Sequence, residues 1–332
     1  NYNSAWKAGF TANSCILMSV NRMKMDVLCL GEALIEFNQI PDDTNNTYRS
    51  GFGGDTSNTA IAVARQETSS GFLSKVGNDI FGRKLLELWK REGVDCTYVL
   101  QHPEFPTGIY FVTHDENGHH FSYYRRGSAA SQMTPEDVTV DVVSQAKVLH
   151  LSAITQAISD SSRKTAFAAI HQARKRGVKI SYDTNLRLKL WTLNQARDVI
   201  NHVVPMCDVL LPSLDDVTSL TGLQEPKEII DYYLKLGAKL VVLKQGEQGV
   251  LVADGNNECY ISGHAVKAID ATGAGDTFDG AFLSEWLRSD DPFAAAEYAN
   301  AAAALSTTNY GAVDSIPNRD DVTAFLGRTK RS

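Results

Sequence analysis

The sequence predicts an α/β fold, doubly wound, with a mostly parallel sheet and helices on both faces. Three observations carry that expectation. Strand-length apolar runs at residues 27–34, 148–151, 179–182, 209–211 and 240–243 recur along the chain, separated by helix-like segments. Two of those segments stop at Arg176-Gly177 and Leu236-Gly237, and glycine suits a helix C-terminus because it enters the left-handed region freely. The chain has 332 residues, 43% hydrophobic and 21% charged, which is enough for one large core.

In chain order, residues 27–34 read as one buried strand. Residues 56–66 read as a helix with Asp55 or Thr56 available to cap it. Residues 81–92 form an amphipathic segment that ends at Gly93. Residues 107–113 and 119–125 flank Asp115-Glu116-Asn117-Gly118, and Asn-Gly between β-rich runs signals a hairpin. That hairpin interrupts the strand–helix alternation and needs a function of its own. Thr134-Pro135-Glu136-Asp137 places a capping Thr before a Pro at a first helical turn. Residues 250–253 add a strand, and the alanine-rich residues 294–304 read as a closely packed helix.

The formal charge of −7 disfavours non-specific nucleic-acid binding. No apolar run approaches the ~20 residues that span a bilayer, so no membrane partner is expected. Five dispersed cysteines (Cys15, Cys29, Cys96, Cys207, Cys259) suggest free thiols in a reducing, cytoplasmic setting. Residues 1–24 read as a poorly ordered extension outside the core, with Met18, Met23 and Met25 each able to serve as a start. The histidines show no metal-ligand spacing, and no G-x-x-x-x-G-K-S/T loop is present.

The chemistry is written most densely in Asp270-Ala-Thr-Gly-Ala-Gly-Asp-Thr-Phe-Asp-Gly-Ala281. Gly273, Ala274 and Gly275 precede an acid, Asp276, at the start of a helix-like run. Unpaired amides at a helix start attract anions, and glycines let a phosphate approach. A carboxylate there repels phosphate but can take the proton of a hydroxyl attacking it. The stretch therefore reads as anion hole plus general base, against the plainer reading of a glycine turn with a capping Asp. Asp270 reads as structural, as a loop-orienting group, or as a monovalent-cation ligand.

This residue order resembles the C-terminal signature of the PfkB (ribokinase-like) carbohydrate kinases. Gly53-Gly54-Asp55-Thr56-Ser57-Asn58 resembles the family's N-terminal signature, and Gly77-Asn78-Asp79 with Gly82 matches a further segment, all in the family's order. The resemblance spans roughly residues 26–318. It implies a ribokinase-like domain over about residues 25–328, with a small β-sheet lid inserted near 35–52 and 107–126. It implies ATP and Mg2+, and leaves a monovalent cation open. A lid hairpin makes a homo-oligomer plausible.

By the same resemblance Gly54, Asp55 and Asn58 would meet the sugar, although many sugar kinases of the family carry a small apolar residue where Asp55 stands. The segment from Asp183 through Asn185, Arg187 and Trp191 is similar to one in fructokinases and 2-keto-3-deoxygluconate kinases, with Arg187 towards substrate or phosphates. Tyr123-Tyr124-Arg125-Arg126 ends the hairpin; in 2-keto-3-deoxygluconate kinases a Tyr and an Arg of this motif hold the sugar acid. Here these would be Tyr123 and Arg125, with Tyr110 on the partner strand. Strand parity places Tyr123 and Arg125 on one face and Tyr124 and Arg126 on the other. An arginine binds carboxylate through two parallel hydrogen bonds, so two arginines near one pocket favour an acid over fructose.

For ATP, the resemblance points to Lys244, Gly246, Glu247 and Gly249, to Asn185 and Ser213 near the phosphates, to the amides of Gly273 and Gly275, and to Asn300 near adenine. The family's Asn-x-x-Glu run reads Ser213-Leu214-Asp215-Asp216 here, leaving Asp216 to hold magnesium through water. Asp314 is a further substrate candidate. The expected reaction is ATP-dependent phosphorylation of 2-keto-3-deoxy-D-gluconate to the 6-phospho acid with Asp276 as general base. Fructokinase is the rival in class, and a catalytically silent sugar-binding regulator is the rival outside it.

Overall fold

Residues 25–40, 47–116 and 118–329 are described by the structure, a computed structural model. The extension expected at 1–24, with Cys15, lies outside the described residues, as does Asn117 of the hairpin turn. The elements in chain order are β1 (Met25–Leu30), β2 (Leu34–Gln39), β3 (Tyr48–Gly53), α1 (Asp55–Arg65), β4 (Ser70–Gly77), α2 (Ile80–Arg91), β5 (Val99–His102), β6 (Ile109–Asp115), β7 (Gly118–Tyr124), α3 (Val140–Val143), β8 (Ala146–Ser152) and α4 (Ala153–Ala157). They continue with α5 (Asp160–Arg176), β9 (Lys179–Asp183), α6 (Leu193–Val203), β10 (Val209–Leu210), α7 (Leu214–Thr221), α8 (Pro226–Leu236), β11 (Val241–Lys244), β12 (Gly249–Ala253), β13 (Glu258–Ser262), α9 (Ala274–Ser289), α10 (Pro292–Ser306) and α11 (Arg319–Thr329).

The apolar runs become a nine-stranded sheet of order β13-β12-β11-β10-β9-β8-β1-β4-β5. Strands from β11 to β5 pair in parallel, and only β12 and β13 at one edge run antiparallel. Alternate residues of each strand enter two separate cores. Along β1, Leu28 and Leu30 belong to the core shared with α5 and α8, while Val27 and Cys29 belong to the core shared with α1, α2, α9 and α10. Burial on both faces is why these strands read as unbroken apolar runs rather than alternating ones. A four-stranded second sheet, of order β3-β2-β6-β7, stands apart. Its hairpin strands β6 and β7 pair out to Asp115 and Gly118.

Three local expectations are corrected. The single strand expected at 27–34 is two strands in different sheets, because Gly31-Glu32-Ala33 ends β1 and turns the chain into β2. Neither Asp55 nor Thr56 caps α1: its N-cap is Gly54, with no side-chain cap. The Thr134 capping box is present, but it closes only a 3-10 turn, Pro135–Asp137. The glycine stops at Gly177 and Gly237 hold, both at positive φ.

The contact that positions the site is between α1 and α9. A methyl group at Gly280 would lie 2.5 Å from the Ala62 Cβ and 2.8 Å from the Thr59 carbonyl oxygen. Glycine is thus required by close helix approach, and the approach brings the start of α9 against the start of α1. Among the described residues, no helix is long and apolar enough to cross a membrane.

Candidate active site

Polar residues collect where the parallel strands end. Glu32 follows β1, Ser152 ends β8, Asp183 ends β9, Ser213 follows β10 and Lys244 ends β11. Ligands of doubly wound sheets bind at this carboxyl edge. The N-terminus of α9 points into the same region. Gly273 caps it at φ 76, and a side chain there would run into the Ala312 carbonyl at 2.9 Å. The first helical bond is Thr277 N–H to Gly273 O, 2.9 Å, so the amides of Gly275 and Asp276 have no acceptor within the helix. Ala274 N–H donates instead to Ala271 O, which removes it from the anion hole in this conformation.

Asp276 lies half-buried beside those amides. Asn58 of α1 donates from Nδ2 to its Oδ2 at 2.8 Å. Burial, with the nearby charges of Asp55 and Asp183, pushes the Asp276 carboxyl up to about 8, against the pull of Asn58 and Lys244. Asn58, expected to meet the sugar, is buried and holds Asp276 through this bond. Asp55 donates no cap and is instead bound by the Ser152 hydroxyl. Burial raises its pKa, opposed by Ser152 and by the charge of Arg125.

Behind the α9 start lies a buried charge cluster. Lys244 Nζ sits 2.8 Å from Asp279 Oδ1 and 3.2 Å from Asp183 Oδ2. Burial works against charging Asp183, but the Lys244 ammonium outweighs it and holds that carboxyl below its ordinary range. Burial pushes Asp279 well above its ordinary range, with Lys244 opposing and Asp183 adding. His150 of β8, hydrogen-bonded to the Ser181 hydroxyl at 2.9 Å, is lowered to about 4 by burial and is neutral here.

The small sheet supplies the opposite wall. Tyr110 and Tyr123 pair across β6 and β7 with ring centroids 5.4 Å apart, and the Arg125 guanidinium lies 5.9 Å from the Tyr123 ring centre. Tyr123 and Arg125 thus share a side, as strand parity requires. Arg125 is held by a partner the sequence did not announce: Glu32 accepts from its Nε at 2.7 Å and its Nη2 at 2.5 Å, and also from the Ser128 hydroxyl. Tyr110 donates to Glu36 at 2.5 Å, and its hydroxyl fills the space a Gly53 side chain would need. Burial raises Glu36, and the charges of Asp270 and Asp314 add to the rise. Asp270 itself accepts from Thr272 and from Gly311 N–H at 3.0 Å, tying the α9 loop to the chain before Asp314.

On the nucleotide side, Asp216 Oδ2 accepts from Leu186 N–H at 3.1 Å, and burial raises it, with Asp183 adding. Ser213 caps α7 and bridges Lys244 through the backbone, and Asn185 N–H turns back onto Asp183. Arg187 is exposed, with one guanidinium nitrogen on Leu186 O. Gly246 and Glu247 are exposed on the β11–β12 loop. Three of the residues expected near the nucleotide are packed within the protein. Gly249 is buried, and its glycine is explained by crowding against the β13 backbone. Asn300 is buried and donates to Ser262 O at 2.8 Å. Lys244 is enclosed by its two carboxylates. A single hard carboxylate such as Asp216, which also meets the Ser213 hydroxyl, fits a magnesium ion carried on phosphates and bound through water.

Sequence reasoning gave no role to Asp183, Asp279, Glu32, Ser152 or Glu36. Asp183 and Ser152 carried a usable signal, each standing at the end of an apolar strand run, whereas Glu32 lay inside the run 27–34. Asp279 is one turn after Asp276 and so on the same helix face. Glu36 had no local signal.

Comparison with known proteins agrees with this geometry. The pfkB family of carbohydrate kinases matches residues 24–319. A 2-dehydro-3-deoxygluconokinase of Bacillus subtilis is 34% identical over 92% of this chain and 96% of its own. A probable fructokinase-5 of Arabidopsis thaliana is 33% identical over 90% and 97%. Among solved structures, a Vibrio cholerae fructokinase with fructose, ADP and calcium bound is 32% identical, with a TM-score of 0.81, covering 91% of this chain and 99% of that one. The ribokinase-like fold and the phosphoryl chemistry expected from the signatures are thereby established, and the silent-regulator reading falls away: the chain belongs to the pfkB family of carbohydrate kinases.

Proposed function

We propose that the protein transfers the γ-phosphoryl group of ATP to the 6-hydroxyl of 2-keto-3-deoxy-D-gluconate. The observation that carries the chemistry is Asp276, fixed by Asn58 at 2.8 Å beside the amides of Gly275 and Asp276. In this reading the sugar hydroxyl gives its proton to an Asp276 oxygen as its own oxygen forms the bond to phosphorus. The bond from phosphorus to the ADP oxygen breaks, and ADP leaves. The α9 amides stabilise the charge that develops on the transferring group; one such donor contributes ~2.7–4 kcal/mol. Magnesium, held through Asp216, would supply neutralisation of the phosphate charge.

The substrate assignment rests on Arg125. Its Nε and Nη2 are fixed by Glu32, leaving Nη1 in a set orientation beside the Tyr110–Tyr123 stack for a carboxylate. The small sheet then acts as the lid over the sugar. One observation favours fructose as a second reading: Glu32 offsets the charge of Arg125, and the acids Asp55, Glu36 and Asp314 suit a neutral polyhydroxyl. Coupled ADP release with ATP and magnesium, comparing 2-keto-3-deoxygluconate, fructose and ribose at equal concentration, separates the two. Preference for the acid supports the carboxylate reading; equal or greater rates with fructose overturn it.

A further inference from the structure

The buried cluster behind α9 has no assigned part in the reaction. Lys244 is the last residue of β11, Asp183 the last of β9, and Asp279 lies one turn into α9 from Asp276. Three elements that contribute to the two substrate sites are thus tied by one ammonium group. Its side chain is 12% exposed, against 7% for Asp183 and 1% for Asp279. Asp279 Oδ2 is buried with no hydrogen-bond partner among the described residues. Buried charges such as those of Lys244 and Asp183 are costly unless paired, so this cluster needs a reason that core packing does not give. Its position suggests one. The Lys244 Nζ lies 3.7 Å from where a Gly275 side chain would begin, beside the first turn of α9.

We propose that Lys244 is a positioning residue for phosphoryl transfer: pinned by Asp183 and Asp279, it locks the end of β11 to the first turn of α9 and holds a fixed positive charge behind the Gly275 amide. A fixed charge there adds to the helix-end field that stabilises the transferring phosphoryl group. It also bears on Asp276, and this part rests on Asp276 being the base. The charged groups that act on Asp276 are Asp55 on α1, Asp183 on β9 and Lys244 on β11, with Asp279 one turn on along its own helix. His150, the neighbour of Asp183 and Lys244 on β8, is neutral at working pH. Lys244 is the cation of this set, and it favours the ionised base.

The test is the pH dependence of sugar kcat/KM for the wild type, Lys244→Met and the double variant Lys244→Met/Asp183→Asn. The expected single-variant result is a fall in kcat of about tenfold or more. Its acidic limb moves to higher pH by about half a unit or more, with sugar KM near the wild-type value. The double variant strands no charge between β9 and β11, so it covers the case in which Lys244→Met does not fold. Its limb returns towards the wild-type pH while kcat stays low, since no ammonium backs Gly275. The proposal is overturned by a folded Lys244→Met protein with the wild-type limb, or by a double variant with wild-type kcat. A fall in kcat matched by a rise in sugar KM also overturns it, since that marks general distortion. A wild-type profile without an acidic limb removes Asp276 as the base, and the proposal with it; a limb that Lys244→Met leaves in place sinks the proposal alone.

Discussion

Around Asp276, each polar group is held by another from the main sheet or its helices: Asn58 on Asp276, Ser152 on Asp55, Lys244 between Asp183 and Asp279. Along β7 the arrangement differs. Phe121, Tyr123 and Tyr124 are 38%, 42% and 66% exposed, and the small sheet presents stacked rings with one guanidinium fixed at its end by Glu32. The first region is preorganised before any ligand arrives, which is what stabilising a developing charge requires. The second offers broad aromatic area and one oriented charge, which is what choosing among sugars requires. In the proposed reading chemistry and specificity sit on different sheets, and substitutions should separate them.

Gly273→Val should have the largest of four further effects. It places a β-branched residue at φ 76 against the Ala312 carbonyl, displaces the α9 amides, and should lower kcat about 10²–10³-fold for every sugar. A kcat within a few-fold of wild type in ADP-release assays would remove the anion-hole reading. Arg125→Ala combined with Glu32→Gln, which avoids a stranded carboxylate, should act on the other sheet. Loss of a charged hydrogen bond of ~1.5–3 kcal/mol should lower kcat/KM for the acid roughly 10–150-fold, with little change for fructose; equal losses would blur the division. The pH profile comes next. The raised pKa of Asp276 means that it is protonated, and unable to accept a proton, below about pH 8. Free-enzyme kcat/KM should therefore fall about tenfold per unit below that pH, and a limb near pH 4 would contradict the burial argument. The smallest effect is expected of Gly280→Ala, which forces α1 and α9 apart and should cost ~1–3 kcal/mol of stability. Urea unfolding checks this, with kcat falling in step as Asn58 leaves Asp276.

The two regions also differ in how much the sequence disclosed. The α9 loop is contiguous, and Gly273, Gly275 and Asp276 could be read from local chemistry because a helix start and its anion hole are made by neighbours in the chain. The alternation of runs disclosed the parallel sheet for a similar reason. Glu32 could not be matched to Arg125, since the pair is joined only when β1 turns towards the small sheet at Gly31. That same turn is hidden inside what reads as one apolar strand. Asn58 read as a sugar ligand because a polar residue on a helix start looks free until the helix it packs against is known. The enclosure of Lys244 was hidden for a comparable reason: a lysine before a glycine loop looks available to phosphate, whereas the register of β9, β11 and α9 sets it between two carboxylates.

The central claim is that Asp276, held by Asn58 against the α9 amides, accepts the proton of the attacking hydroxyl. Asp276→Asn tests it most directly, with ADP release and sugar binding by calorimetry measured on the same preparation. The account predicts a loss in kcat of about 10²–10⁴-fold with sugar affinity little changed. Turnover retained at the wild-type level would contradict it.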